Sequence, residues 1–219
     1  MEEVMTENNI LRDLSTHISS KSFPCVMAKA VEKLGGITVK TTENLSGEAE
    51  IRRIHQDLSA FVDRFRMKDQ LSSFVLTCDQ NRYKDFAVME KEFWKFLIAL
   101  RNFDQALHPH DERVSADPAH HEFSFSVKSE AFFILMLHPD SPRLSRRFKY
   151  PAIVFNPHIQ FERMRLKGIF EKVRNLIRNR DKVLQGSINP MLSDFGERSE
   201  VFQYIGRVYQ AHEIVPLLH

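Results

Sequence analysis

Two histidines stand where apolar strands end. His138 follows the run AFFILML and precedes Pro139, and His158 follows AIVF and an Asn-Pro turn signal. An imidazole in such a place has two uses. It caps its turn through a backbone carbonyl, or it lines a pocket and offers a ring nitrogen to a metal. Arg143, Arg146 and Arg147 come directly after the first turn. Guanidinium groups grip carboxylates in a two-pronged way, and Arg143 and Arg147 would share a face if this segment were helical. Glu122, Glu130 and Glu162 lie in or beside the strands. A carboxylate buried there needs a cation, either one of the chain's own or a guanidinium substrate. Cys25 follows Pro24 at the start of a helical pattern. A helix N-terminus lowers a thiol's pKa and favours the thiolate, which can ligate iron, although a free cysteine is commonly just a small buried residue.

The segment HPHDERVSADPAHH at 108–121 carries four histidines, His108, His110, His120 and His121, and Asp111 among them. These groups invite a metal reading, but the segment is rich in turn formers and holds them on no regular element, so a solvated loop is the reading it favours. The stretch 143–182 is densely basic and suits an anion such as a carboxylate or a propionate; a solvated helix face explains the same charges.

The elements that must position these groups follow from periodicity. Residues 1–20 read as a loosely packed, partly helical arm. A short helix around 24–34 starts at Pro24 and stops at Gly-Gly, and ITVKTT reads as a strand. Helical spacing recurs in Ile51, Ile54, Leu58, Phe61, Val62 and Phe65, and again in Phe93, Phe96, Leu97, Leu100 and Phe103. SSFVLTC, HEFSFSV, AFFILML and AIVF read as strands, the last two covered on both faces. Residues 160–184 are helical up to Gly186, and SEVFQYIGRVYQ reads as a shorter final helix. Three strands in succession favour antiparallel pairing, so the expected fold is α+β, a central, mainly antiparallel sheet flanked by helices in a single domain, 1–219.

The 219 residues are 42% hydrophobic and 27% charged with a net charge of +2, which gives no electrostatic case for nucleic acid. No apolar run approaches the length of a membrane span, and the acidic N-terminus is not a secretory signal. Two cysteines suit a reducing cytoplasm. Eighteen phenylalanines build a thick apolar interior, and would also pack against a flat aromatic cofactor. The phosphate-loop, dinucleotide, zincin and hydrolase motifs are missing.

Five strings, FPCVMAKA (23–30), EFSFSV…AFFILMLHPDSPRLSRRF (122–148), PAIVFNPHIQFERMR (151–165), IRNRD (177–181) and INPMLSDFG (188–196), together resemble the YqcI/YcgG family over about residues 23–209. The pairing of HPxSxRxxRRF with FNxHxQFExxR is the specific part. The resemblance implies a haem-dependent monooxygenase. Members of the family use dioxygen to N-hydroxylate guanidine groups of arginine or arginine-like molecules, in guanitoxin and D-cycloserine biosynthesis among other settings. It implies haem b, and His158 is preferred as the iron ligand because it ends a buried strand in the densest motif, Cys25 and His138 being the alternatives. Arg143, Arg146 and Arg147 would bind haem propionates or a substrate carboxylate, and Glu130, Glu162 and Asn156 would form the catalytic set. Without a flavin or nicotinamide motif, the electrons come from a separate reductase. A homodimer is a further expectation. The competing readings are a non-catalytic haem carrier or gas sensor, and a helical module whose basic segment binds an acidic partner.

Overall fold

The computed structural model describes residues 6–68, 70–210 and 213–218. Its helices are α1 (Glu7–Ser19), α2 (Val26–Lys33), α3 (Glu48–Lys68), α4 (Phe86–Gln105), α5 (Ile159–Leu166) and α6 (Phe170–Gln185). Its strands are β1 (Ile37–Thr42), β2 (Ser73–Cys78), β3 (Phe125–Val127), β4 (Glu130–Leu137) and β5 (Ala152–Pro157). They form one sheet in the order β1-β2-β5-β4-β3, parallel between β1 and β2 and antiparallel elsewhere. The fold is α+β, as the order of strands and helices predicts.

The central strands read as unbroken apolar runs because helices cover both their faces. Phe132, Ile134 and Met136 of β4 turn one way, with Ile153 and Phe155 of β5, and enter the main core with the apolar stripes of α3 and α4. The alternate residues Phe133, Leu135 and Leu137, with Val154 and Asn156, turn the other way, toward α1, α2 and α6. This two-residue alternation sorts every side chain of β4 and β5 between a packed face and a face that encloses a cavity.

Four expectations need correction. Residues 7–19 are no loose arm: α1 is capped by Thr6, whose hydroxyl accepts from the Asn9 N–H at 3.2 Å, and it buries Ile10, Leu14 and Ile18 beside Val39 and Val75. Residues 1–5 lie outside the described part. The helix expected over 160–184 is two helices, separated at Gly168, whose φ of +67° interrupts the helical path. The final helix is only a 3₁₀ turn, Glu200–Gln203. Pro24 precedes the helix instead of opening it, because Cys25 is the cap. Among the described residues no helix is long and apolar enough to cross a membrane.

Gly36 is the position of closest backbone approach. A Cβ built on it would stand 2.2 Å from the carbonyl oxygen of Leu71, where the chain leaves α2 for β1 beside the start of β2. Its own carbonyl accepts from the Ser73 N–H at 3.0 Å, so neither segment can yield without breaking the β1–β2 register. Gly36→Ala is expected to cost about 1–3 kcal/mol, measured by denaturant unfolding; a change within error would show that the two segments separate freely.

Candidate functional site

The second face of the sheet does not close on its helices. Between them lies a cavity of about 350 Å³, floored by Phe133, Leu135 and Val154 and roofed by α1, α2 and α6. This falls within the range of small-molecule and cofactor sites, roughly 300–1,000 Å³. Its walls are mostly apolar, with Phe23, Phe161, Phe170 and Phe195 among them.

His158 sits in the wall, 5% exposed, at the junction of β5 and α5. Its backbone N–H donates to the Ala131 carbonyl at 2.7 Å, which fixes the ring's origin to β4. The ring leans on Phe195 at 4.5 Å between centroids. Burial, reinforced by the nearby Arg165 charge, pulls its pKa down to about 4, so the imidazole is neutral at ordinary pH. Among the described residues no hydrogen bond reaches either ring nitrogen. The nearest carboxylate is Glu162, with Oε1 3.7 Å from Nδ1. A smaller cavity of about 270 Å³ lies behind, lined by Arg113, Glu162, Arg165 and the same His158.

His138 has the opposite surroundings. It is fully buried, with Nδ1 accepting from the Asp140 N–H at 3.0 Å and Nε2 2.9 Å from the Tyr83 carbonyl. The first contact requires the proton on Nε2, so both ring nitrogens are committed. Its ring packs edge-on against Phe86, on the side of α4, and it does not line the cavity. This is a turn histidine, and it could ligate a metal only by giving up its turn.

Cys25 lines the cavity and caps α2, its Sγ accepting from the Ala28 N–H at 3.4 Å. The expected low thiol pKa is not found. Burial pushes it up, and the helix N–H groups and Arg146 only partly offset this.

The arginine cluster divides. Arg143 is buried and pairs with Asp181 of α6, also donating to the Ser187 carbonyl at 2.8 Å. Arg146 reaches the cavity, where it donates to the Tyr204 and Gln203 carbonyls at 3.1 Å each and, among the described residues, makes no ion pair; burial brings its pKa down to about 10. Arg147 turns away and donates to the Ser141 carbonyl. The shared helical face expected for Arg143 and Arg147 is absent because only a 3₁₀ turn, Leu144–Arg146, lies between them.

The acids divide as well. Glu130 lies outside both cavities, clamped between Arg113 at 2.9 Å and Arg66 at 3.2 Å, so the guanidinium it holds is the chain's own. Glu162 pairs with Arg165 and lines the smaller cavity. Asn156 lines the larger one, with Oδ1 accepting from Ser73 Oγ at 2.7 Å.

Sequence reasoning missed several lining groups. His17 of α1 presents a second imidazole, packed edge-on against Phe23 at 5.1 Å, its pKa lowered by burial. Asp194 accepts from Arg178 at 2.8 Å and pairs also with Arg174. Glu200 accepts from Ser124 Oγ and the Tyr204 hydroxyl, both at 2.8 Å, and burial raises its pKa from 4.5 to about 8. His17 was concealed by the arm reading. The apolar neighbours of Glu200 in SEVF were the one available sign of its burial.

Glu200 therefore folds as a neutral acid. The folded chain holds this proton between the unfolded value, 4.5, and about 8, where the unfolded chain has lost it, so its stabilising contribution fades as pH rises through that window. Compared with Glu200→Gln, the wild type should lose on the order of a few kcal/mol between the two ends of the window. Denaturant unfolding at a series of pH values measures this, and a pH-independent difference would show that Glu200 is ionised in the fold.

No curated protein and no solved structure matches this chain. The YqcI/YcgG family model matches residues 14–217, from the second half of α1 to a 3₁₀ turn at Pro216–Leu218, and so reaches every element that builds the cavity. On that match the chain belongs to the YqcI/YcgG family.

Proposed function

We propose that the cavity holds haem b and that the protein is a monooxygenase that N-hydroxylates a guanidine or amine group of an arginine-like small molecule. The observation that carries this reading is His158: a neutral imidazole with, among the described residues, no hydrogen bond at either ring nitrogen, in the wall of an apolar, phenylalanine-lined chamber. It is the form of histidine that ligates a metal, and it gives up no structural bond to do so. Cys25 is the weaker candidate because its buried thiol resists ionisation. His17 is a second imidazole on the helical side.

The residues present fit such a group. Among the described residues Arg146 has carbonyl partners alone and would meet a propionate, and Arg143 Nε and Asp181 Oδ1 at the same wall lack hydrogen-bond partners. When bound, haem would supply dioxygen activation with electrons from a separate reductase, one oxygen atom entering the substrate and the other leaving as water. The protein's own part is orientation and exclusion of water. Glu162, behind His158, can accept from Nδ1–H and fix the ring's tautomer, a role that replaces the substrate contact expected of it. Asn156 on the cavity floor can hold the substrate by its amide. Among the described residues Glu200 makes no ion pair, and the charge of a guanidinium entering beside it would lower its pKa, so that its proton passes to water and the carboxylate that remains pairs with the cation. Cys25 and Cys78 are both free thiols, in keeping with a cytoplasmic setting.

The test is reconstitution of the purified chain with haem, followed by turnover with arginine, dioxygen and a chemical reductant, reading N-hydroxylated product by mass spectrometry. Uptake of one haem with a Soret band is expected, and His158→Ala should alter the axial-ligand signature of the reduced, carbon monoxide-bound spectrum while Cys25→Ser does not. A chain that takes up no haem overturns the proposal. Haem without product would leave a carrier or sensor, and an altered spectrum in Cys25→Ser or His17→Ala alone would move the ligand.

A further inference from the structure

A second set of metal-competent side chains lies beyond the cavity, on the α3–α4 side of the sheet. His55 of α3 places Nε2 2.8 Å from Oδ1 of Asp104, in the last turn of α4, and the His108 ring lies nearly parallel to that of His55, 5.8 Å away at 14°. One donor atom from each of the three falls within 4.8 Å of the other two. His55 and Asp104 are 5% and 1% exposed, and His108 closes the group on the solvent side.

A buried histidine–aspartate hydrogen bond explains two of these residues without a metal. It does not explain the third. Among the described residues no hydrogen bond reaches the His108 ring, yet its main chain is locked in place by a 2.8 Å bond from its N–H to the Asp104 carbonyl. Two imidazoles and a carboxylate at this separation are a ligand set for a borderline divalent cation. Calcium and magnesium prefer all-oxygen sites. Metal–ligand distances near 2.0–2.2 Å put neighbouring donors about 3 Å apart, so the His55–Asp104 pair already stands at the right spacing and a swing of His108 completes the set.

We propose that His55, Asp104 and His108 bind one divalent transition-metal ion of the zinc, cobalt and iron(II) class. The site also lies where the fold is strained. Lys128 and Ser129, the two-residue turn between β3 and β4, adopt φ of +52° and +54°, unusual for residues with side chains. The turn is held by Asp104 Oδ1, which accepts from the Lys128 N–H at 2.8 Å, and by Arg66, which donates to both turn carbonyls. An ion on Asp104 would therefore tie α3, α4 and the β3–β4 hairpin at one point.

The experiment uses the untagged full chain, stripped with chelator and without haem, titrated with zinc by calorimetry and with cobalt by visible absorption. One equivalent should bind, with intense cobalt bands of low coordination number and a thermal midpoint that rises with metal concentration. His108→Ala, and His108→Phe, which keeps the ring stack without a nitrogen, should each weaken binding by at least about tenfold. His158→Ala should bind as the wild type does, and so should the double variant His120→Ala/His121→Ala, which removes the exposed His120–His121–Glu122 group. The proposal is overturned if the wild type binds neither metal, if both His108 variants keep wild-type affinity, or if binding vanishes in the His120/His121 variant. None of these readouts depends on haem.

Discussion

The cavity exists because α6 is held at a distance from the sheet by directional bonds. The central one is the buried ion pair of Arg143 and Asp181. Taking both charges out of water is costly, and an apolar pair of the same size would serve stability as well or better. What the ion pair supplies is position. It joins the turn after β4 to the C-terminal part of the roof helix, and Gln185 repeats the link by accepting from the Leu144 N–H at 2.7 Å and donating to the Pro142 carbonyl at 3.1 Å. At the other edge Arg180 donates to the carbonyls of Lys21 and Phe23. Apolar side chains alone would let a roof sink until the void was gone; these bonds have lengths, and the roof stays where they put it. Arg143 and Asp181 also fall in two of the strings that carry the family resemblance, RLSRRF and IRNRD, so that arginine has an architectural role beside the one that its unpartnered Nε leaves open at the cavity wall.

Strand parity separates the two histidines that look alike in sequence. On β4 the odd positions 133, 135 and 137 face the cavity, so position 138 falls on the far side, among Tyr83 and Phe86. On β5 the even positions 154 and 156 face it, and 158 follows the same face. A one-residue difference in phase therefore makes one imidazole a turn cap and leaves the other with bare nitrogens.

The sheet and its helices were readable because hydrophobic periodicity is a local signal: β1, β2, α3 and α4 appear where the pattern puts them. The breaks were harder. Gly168 ends α5 inside a run that remains helical in composition, and residues 204–210 keep an apolar pattern without forming a helix. Within the site, His158, Cys25 and Arg146 were found because a strand end, a helix start and a basic turn announce them. Glu130 was misjudged because its partners, Arg66 and Arg113, are 64 and 17 residues away, and nothing local reveals a cation that far along the chain. His17, Asp194 and Glu200 belong to segments that reach the cavity only through tertiary packing.

The roof of the chamber is drawn from both ends of the chain: α1 and α2 precede the first strand, and α6 follows the last. During synthesis the sheet can begin to assemble while one side of it is still bare, and the phenylalanine-lined floor waits for α6, more than 130 residues behind the α2 it must meet. The chamber is therefore complete only once α6 has reached α2. A ligand held there would touch α1 and α2 on one side and α6 on the other, and so would tie together segments that flank the whole sheet in sequence.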